Sequence, residues 1–304
     1  MLTPWPLYRG TSPAPSDECI QRWLDDPPPW RRPRTDVRLG AAPALNQASA
    51  DRAARFILPG GQAEIDAINV ALLLRRPLLV RGVPGIGKSS LAYSLAAALG
   101  LGQPLRWDIG SRSTLQDGLY DYDAVSHLQD GHTGGTRPIG EFISLGPLGT
   151  ALLPWERPRV LLIDELDKAS YDLPNDLLHA FEEGEFPVRE LDRLDGEHEI
   201  HGYRTFQDRV RLADGWVRMG HAPVVVITSN DEREFPPAFL RRCVNLSLRT
   251  PTADQMTAMV RGWLGDDALT VPETTDPPDR VLQLMFAGLR GLDAESSLPK
   301  RDRA

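Results

Sequence analysis

Two stretches, RVLLID at 159–164 and VVVITSN at 224–230, are nearly unbroken aliphatic runs. A strand with one face in water alternates apolar and polar residues. Runs of this kind therefore mark strands buried on both faces, as in a parallel sheet covered by helices. Three further apolar runs, PLLVRG (77–82), PLRWDI (104–109) and VNLSL (244–248), recur at long intervals. Helical patterns lie between them. SSLAYSLAAAL follows the first run, and LPNDLLHAFEEGE follows the third, with Leu173, Leu177, Leu178 and Phe181 on one face and Gly184 as its stop. Upstream, Ile65, Ile68, Ala71 and Leu72 recur at helical spacing until Arg75-Arg76-Pro77 ends the pattern. The alternation predicts an α/β, doubly wound domain around a parallel sheet.

The remainder of the chain divides by composition. Residues 1–50, with PWP, PAP, DDPPPW and RRPR, show no sustained apolar period and read as a Pro-rich arm, extended or partly ordered and in part disordered, whose Trp5, Trp23 and Trp30 could dock on a surface. Residues 51–250 hold the α/β pattern. Within 185–222, RVRLADGWVRMG reads as two strands joined at Asp214-Gly215, a β-hairpin insert ahead of the fourth strand. Residues 251–304 read as a short helical lid of two helices, TADQMTAMVRGWLG and DRVLQLMFAGLRGL, followed by a polar tail. Two cysteines, Cys19 and Cys243, are too few for a disulfide scaffold. No apolar stretch of membrane-spanning length occurs, and a cytoplasmic location is expected. The net charge of −8 argues against a protein that grips nucleic acid by bulk charge neutralisation.

Chemistry concentrates at the ends of the apolar runs. Gly82-Val83-Pro84-Gly85-Ile86-Gly87-Lys88-Ser89, with Ser90 opening the next helix, fits G-x-x-x-x-G-K-[ST], a P-loop between strand and helix. Its glycines let backbone N–H groups curl around phosphate, and the helix aims its positive end at the same anion. Lys88 would neutralise the β/γ-phosphates of ATP, and the Ser89 hydroxyl would ligate Mg²⁺. Of 34 basic residues only Lys88, Lys168 and Lys300 are lysines, which makes a lysine at 88 less incidental. The third strand delivers Asp164, an Mg²⁺ partner, and Glu165, which would polarise the attacking water. The fourth delivers Asn230, placed to orient water or touch the γ-phosphate. Asp167 and Lys168 read as helix-start charges. Arg241 and Arg242, in PPAFLRRC, read alone as a solvated face; a functional role requires reach across subunits.

In this order, P-loop, acidic pair, strand-borne asparagine and PPAFLRR, the chain resembles the AAA+ ATPases, and within them the MoxR-like, dynein-related branch. GVPGIGKSSLA, IGEFISLGPLGTALL ahead of VLLIDELDKA, DLPNDLLHAFEEGEF, a hairpin ending in WVRMG and VVVITSNDEREFPPAFLRRC carry the likeness over residues 50–265. The resemblance implies a sheet order of 5-1-4-3-2, a hexameric ring, and ATP hydrolysis coupled to remodelling of an unidentified protein partner. It also implies that Asn230 is the sensor-1 residue and Arg242 the arginine finger, with Arg241 as the fallback. The family's lid normally carries a sensor-2 arginine on a further helix, for which Arg290 is the available substitute.

Two other function classes fit less of the pattern. A regulatory switch or scaffold that hydrolyses ATP slowly would suit the short lid and the arm. A monomeric small-molecule kinase would explain neither Asn230 nor PPAFLRR. His198 and His201 form an H-x-x-H without the helix or further ligands of a zinc site. The glycine-rich QDGHTGGTRP reads as a mobile loop flanked by His127 and His132, and Trp107 as packing.

Overall fold

Alternate side chains of the central strands enter opposite cores, and each core is closed by its own set of helices. The computed structural model describes residues 6–10, 14–203, 209–264 and 276–290. In chain order the strands are β1 Leu78–Arg81, β2 Leu105–Asp108, β3 Tyr120–Tyr122, β4 Ile143–Leu145, β5 Val160–Asp164, β6 Glu185–Pro187, β7 His198–His201, β8 Arg209–Leu212, β9 Trp216–Arg218, β10 Val224–Ser229 and β11 Val244–Ser247. The helices are α1 Asp17–Asp25, α2 Gln47–Ala54, α3 Gln62–Leu74, α4 Ser90–Leu99, α5 Leu115–Leu119, α6 Ala124–His132, α7 Pro147–Ala151, α8 Leu173–Glu183, α9 Pro237–Arg242, α10 Ala253–Leu264 and α11 Pro278–Leu289.

The five expected runs make one sheet, ordered β11-β1-β10-β5-β2 and parallel throughout. Counted along the chain, that is 5-1-4-3-2. Leu79, Leu161, Ile163, Val225 and Ile227 face a core completed by α7, α8 and the inserted strands. Leu78, Val80, Val160, Leu162 and Val226 face a second core completed by α1, α2, α3 and α4. All five residues of β5 are buried, which is why its sequence shows no polar alternation. Gly184 ends α8 in the left-handed conformation, φ 65°.

Of the two readings of the arm, the described residues fit the partly ordered one. Ile20, Trp23 and Leu24 of α1, spaced i, i+3 and i+4, are buried in the second core beside Leu7 and Tyr8. The Leu7 and Tyr8 N–H groups both donate to Asn69 Oδ1, at 2.8 and 3.0 Å, and Asn69 returns a bond to the Tyr8 carbonyl. Trp23 Nε1 donates to the Leu72 carbonyl, and the Arg75 guanidinium lies 3.6 Å from the centre of its ring. Further on, Arg31 and Arg34 donate to the Phe181 and Glu183 carbonyls at the end of α8. Prolines obscure this in sequence because only nine residues lie in α1. Residues 1–5, including Trp5, and 11–13 lie outside the described residues.

The insert also departs from expectation. β8 and β9 are both present, but they do not pair with each other. β8 forms its hairpin with β7, and β9 pairs antiparallel with β6. Gly215, at φ 74°, turns the chain against Leu191, and its carbonyl accepts from Val188 N at 2.8 Å. The Asp-Gly signal thus marks the turn, while the partner is chosen by packing around β6. The stretch around 124–132, expected in part as a loop, is α6, capped by Asp123, with the His127 ring stacked on Phe142 at 4.7 Å.

In the lid, α10 and α11 meet through Met256, Val260 and Val281. Residues 265–275 and 291–304, with Lys300 and the polar tail, lie outside the described residues. Among the described residues, no helix is long and apolar enough to cross a membrane.

If the arm completes the second core, Trp23→Ala should destabilise the protein by about 3–5 kcal/mol in urea titrations. Trp30→Ala, at a 61% exposed tryptophan, should change stability by no more than about 0.5 kcal/mol.

Candidate active site

The turn from β1 to α4 sets the geometry. Gly85 and Gly87 take φ values of 79° and 93°, which side-chain-bearing residues rarely adopt. Ile86 between them is buried and pins the loop to the second core. Lys88 folds back across the turn, donating from Nζ to the Gly82 carbonyl at 2.8 Å, the Val83 carbonyl at 3.1 Å and Asn230 Oδ1 at 2.6 Å. The loop and the end of β10 are joined by that last bond.

Asp164 stands at the end of β5 and is largely buried. Its Oδ1 accepts from Ser89 Oγ and from Thr228 Oγ1, each at 2.7 Å. Its Oδ2 pairs with Arg106 of β2 at 3.0 Å. Thr228 also accepts from Glu165 N at 2.8 Å, so one hydroxyl ties both acidic residues to β10. Glu165 itself lies in the left-handed region, φ 60°, an uncommon state for a residue with a side chain. Its carboxylate is held by Lys168 Nζ at 2.7 Å.

Two sequence expectations gain detail here. Asp167 does stand in the first turn of a short 3₁₀ helix, but it is 3% exposed, and its Oδ2 accepts from the N–H groups of Asn230 at 2.8 Å and Glu232 at 3.1 Å. Its Oδ1 has no hydrogen-bond partner among the described residues. Lys168 follows it on a short 3₁₀ turn but serves Glu165 as an ion-pair partner.

These groups line a cleft of about 570 Å³ bounded by the loop, Asp164, Glu165, Thr228, Asn230 and Arg106. Beside it, a more apolar slot of about 160 Å³ runs between the loop and the lid, walled by Phe56, Ile86, Val260, Trp263 and Leu282. Arg52, Gly85, Gly87, Ser90 and Trp263 border both spaces. A Cβ on Gly85 would collide with the Asp279 carboxylate at the start of α11. The two spaces together suit a ligand with a flat apolar end and a polyanionic end, with the N-terminus of α4 behind the anion. Burial pushes the Lys88 ammonium below the ordinary lysine value, although Asp167 and Asp164 pull it upward. For Arg106 burial acts downward too, but the bond to Asp108 and the charge of Asp164 hold it above its usual value.

Lys88, Ser89, Asp164, Glu165 and Asn230 are therefore brought to one sheet edge, together with Pro84, Gly85 and Gly87. Arg241 and Arg242, expected to reach a neighbouring subunit, and Arg290 lie elsewhere in this chain. Arg242 pairs with Glu182 of α8 at 2.6 Å, and the Arg241 carbonyl accepts from Arg76 at 3.3 Å. Arg290 stacks on Phe286, 5.6 Å from the ring centre. None of the three borders the cleft. Thr228 and Arg106 went unnoticed in sequence. A polar residue inside VVVITS was the available signal for Thr228.

A parallel sheet with a phosphate-type loop, an acidic strand end and a polar strand end at one edge defines a P-loop nucleotide-binding domain of the ATPase class. The chain belongs to the AAA domain family, dynein-related subfamily, whose pattern residues 77–243 match. No curated protein sequence matches it. Among solved structures it is similar to the RuvB Holliday junction branch migration motor of Thermotoga maritima, at 15% identity and a TM-score of 0.41, over 77% of this chain and 65% of RuvB. It is also similar to domain III of the Thermotoga maritima replication initiation protein DnaA, at 16% identity and a TM-score of 0.42, over 85% of this chain and 93% of that domain. The chain thus spans just under two thirds of the RuvB chain, and family membership rests on the match over 77–243.

Asp167→Ala would leave two half-buried N–H groups without their charged acceptor. A loss of about 2–3 kcal/mol is expected in denaturant titrations, because bonds to a charged acceptor are worth more than neutral ones.

Proposed function

We propose that this chain binds ATP with Mg²⁺ and hydrolyses it, as a MoxR-like AAA+ protein that assembles into a hexameric ring and remodels a protein partner in the cytoplasm. The observation that carries the reading is two hydrogen-bonded pairs on one cleft, Lys88 with Asn230 and Ser89 with Asp164. In this reading residues 51–250 are the nucleotide-binding unit, residues 251–304 its lid, and the Pro-rich arm of residues 1–50 docks on the first of these.

The donor set fits the metal. Mg²⁺ prefers hard oxygen ligands, and the Ser89 hydroxyl and Asp164 carboxylate lie together with a Ser89–Asp164 separation of 2.7 Å. When bound, Mg²⁺ neutralises charge on the β- and γ-phosphate oxygens. The loop from Gly82 to Ser90 would wrap the phosphates with its N–H groups, and Lys88 would exchange its loop carbonyls for phosphate oxygens. Glu165, released from Lys168, would accept a hydrogen bond from the attacking water and orient it with Asn230. The water oxygen bonds to the γ-phosphorus as its proton passes to the Glu165 carboxylate, the bond to the β–γ bridging oxygen breaks, and ADP leaves with that electron pair. Arg242, at the surface beside Glu182, would serve a neighbouring subunit's γ-phosphate, with Arg241 as the fallback.

A second reading, a slow ATP-dependent switch or scaffold, is favoured by one observation: both Glu165 and Arg242 are held by partners in the same chain. Light scattering with and without ATP, run beside turnover, separates the two. Turnover that rises with assembly supports the motor, and slow turnover indifferent to assembly supports the switch.

Glu165→Gln should keep ATP affinity and lose hydrolysis by at least about 100-fold, the usual scale for a positioned base. Unchanged turnover would remove Glu165 from this role. A pH dependence follows from Lys88. As pH rises through its lowered value the free protein loses the Lys88 proton, while bound phosphate retains it. ATP binding should therefore weaken and take up a proton in the window below the ordinary lysine value of 10.5. Calorimetry in buffers of different ionisation enthalpy would show this, and Lys88→Ala should abolish the uptake.

A further inference from the structure

Arg106 borders the cleft, yet no part of the reaction above uses it. Along β2, Leu105 and Trp107 point into the core, and Arg106 and Asp108 point away from it. β2 and β5 pair with Asp108 beside Asp164, so two carboxylates stand next to one another at the sheet edge. The Arg106 guanidinium bridges them: Nε and Nη2 reach Asp108 Oδ1 at 2.7 and 2.6 Å, and Nη2 reaches Asp164 Oδ2 at 3.0 Å. Its side chain is 43% exposed, so the head group can turn without disturbing the core.

The two contacts respond differently to a metal. A divalent cation between Ser89 and Asp164 repels a guanidinium on the other oxygen of the same carboxylate. Asp108, whose side chain is 70% exposed, is not part of that donor set and keeps its hold. Displaced from Asp164 but tethered by Asp108, the guanidinium has the cleft in front of it, where a polyanion attracts it.

We propose that Arg106 is a same-chain catalytic cation, which Mg²⁺ and ATP displace from Asp164 and which then turns on Asp108 to meet the terminal phosphate. This inference rests on the ATPase reading above. Arg106 adds no covalent step. It stabilises the negative charge that grows on the γ-phosphate oxygens as the water adds and ADP departs. Unlike Arg242 it needs no neighbour, and it would therefore support turnover by unassembled protein.

The test compares wild type, Arg106→Gln, Arg106→Lys and Asp108→Asn, at protein concentrations where light scattering shows monomers. Fluorescent ATP reports affinity, a magnesium titration reports the metal requirement, and phosphate release reports turnover. For Arg106→Gln the expected result is ATP affinity within about three-fold of wild type, a several-fold lower magnesium requirement because Asp164 is no longer shared, and turnover at saturating magnesium reduced at least about 10-fold. Arg106→Lys should recover part of that turnover, and Asp108→Asn should fall between. Unchanged turnover in Arg106→Gln at saturating magnesium overturns the proposal, leaving Arg106 as a counter-ion of Asp164. Loss of ATP binding by a folded Arg106→Gln, checked by circular dichroism, overturns it as well. Failure of the ATPase reading looks different: wild type itself binds no ATP, or Glu165→Gln hydrolyses as fast as wild type.

Discussion

One carboxylate holds the cleft together. Asp164 takes hydrogen bonds from the loop through Ser89 and from β10 through Thr228, and it takes a charge from β2 through Arg106. Three chain segments far apart in sequence thus converge on two oxygen atoms. Such convergence is possible because Asp164 ends a strand with neighbours on both sides, and parallel pairing brings Asp108 level with Asp164. A carboxylate on an edge strand would have at most one of these neighbours. The central position of β5, dictated by its apolar run, is therefore also what makes the site.

The same sheet explains why the Pro-rich arm is structural. A strand buried on both faces needs two cores, and α2, α3 and α4 do not close the second alone; Leu7, Tyr8, Ile20, Trp23 and Leu24 complete it. Asn69, on α3, repeats the backbone pattern of a strand partner for the arm by accepting two N–H groups and donating to one carbonyl. Polar pairing of that kind fixes where the arm lies as well as how tightly it is held.

The central sheet and the loop were legible because both are written locally. Uninterrupted aliphatic runs state burial directly, and the spacing of Gly82, Gly87 and Lys88 states a turn that few other structures need. Strand partnership is less local. Asp214-Gly215 announces a turn, but whether β9 joins β8 or β6 depends on Leu191 and Val188, more than twenty residues upstream. Asp167 was legible only in part for a related reason. On a helix start a carboxylate normally faces water, whereas this one is buried and accepts from the Asn230 N–H. Arg106 looks like any arginine on an alternating strand until β5 is placed beside it. Arg242 and Arg290 illustrate the reverse: their residue type and position suggested a role that a single chain does not bring to the cleft.

Lys88 spends its three donors on Gly82, Val83 and Asn230, Glu165 is matched by Lys168, and Asp164 by Arg106. Each of these groups thus has a partner within the chain itself. On the ATPase reading proposed above, a ligand gains only the difference between its own bonds and those it replaces. The arrangement would then act as a discriminator, favouring a ligand with several phosphates over a weakly charged one.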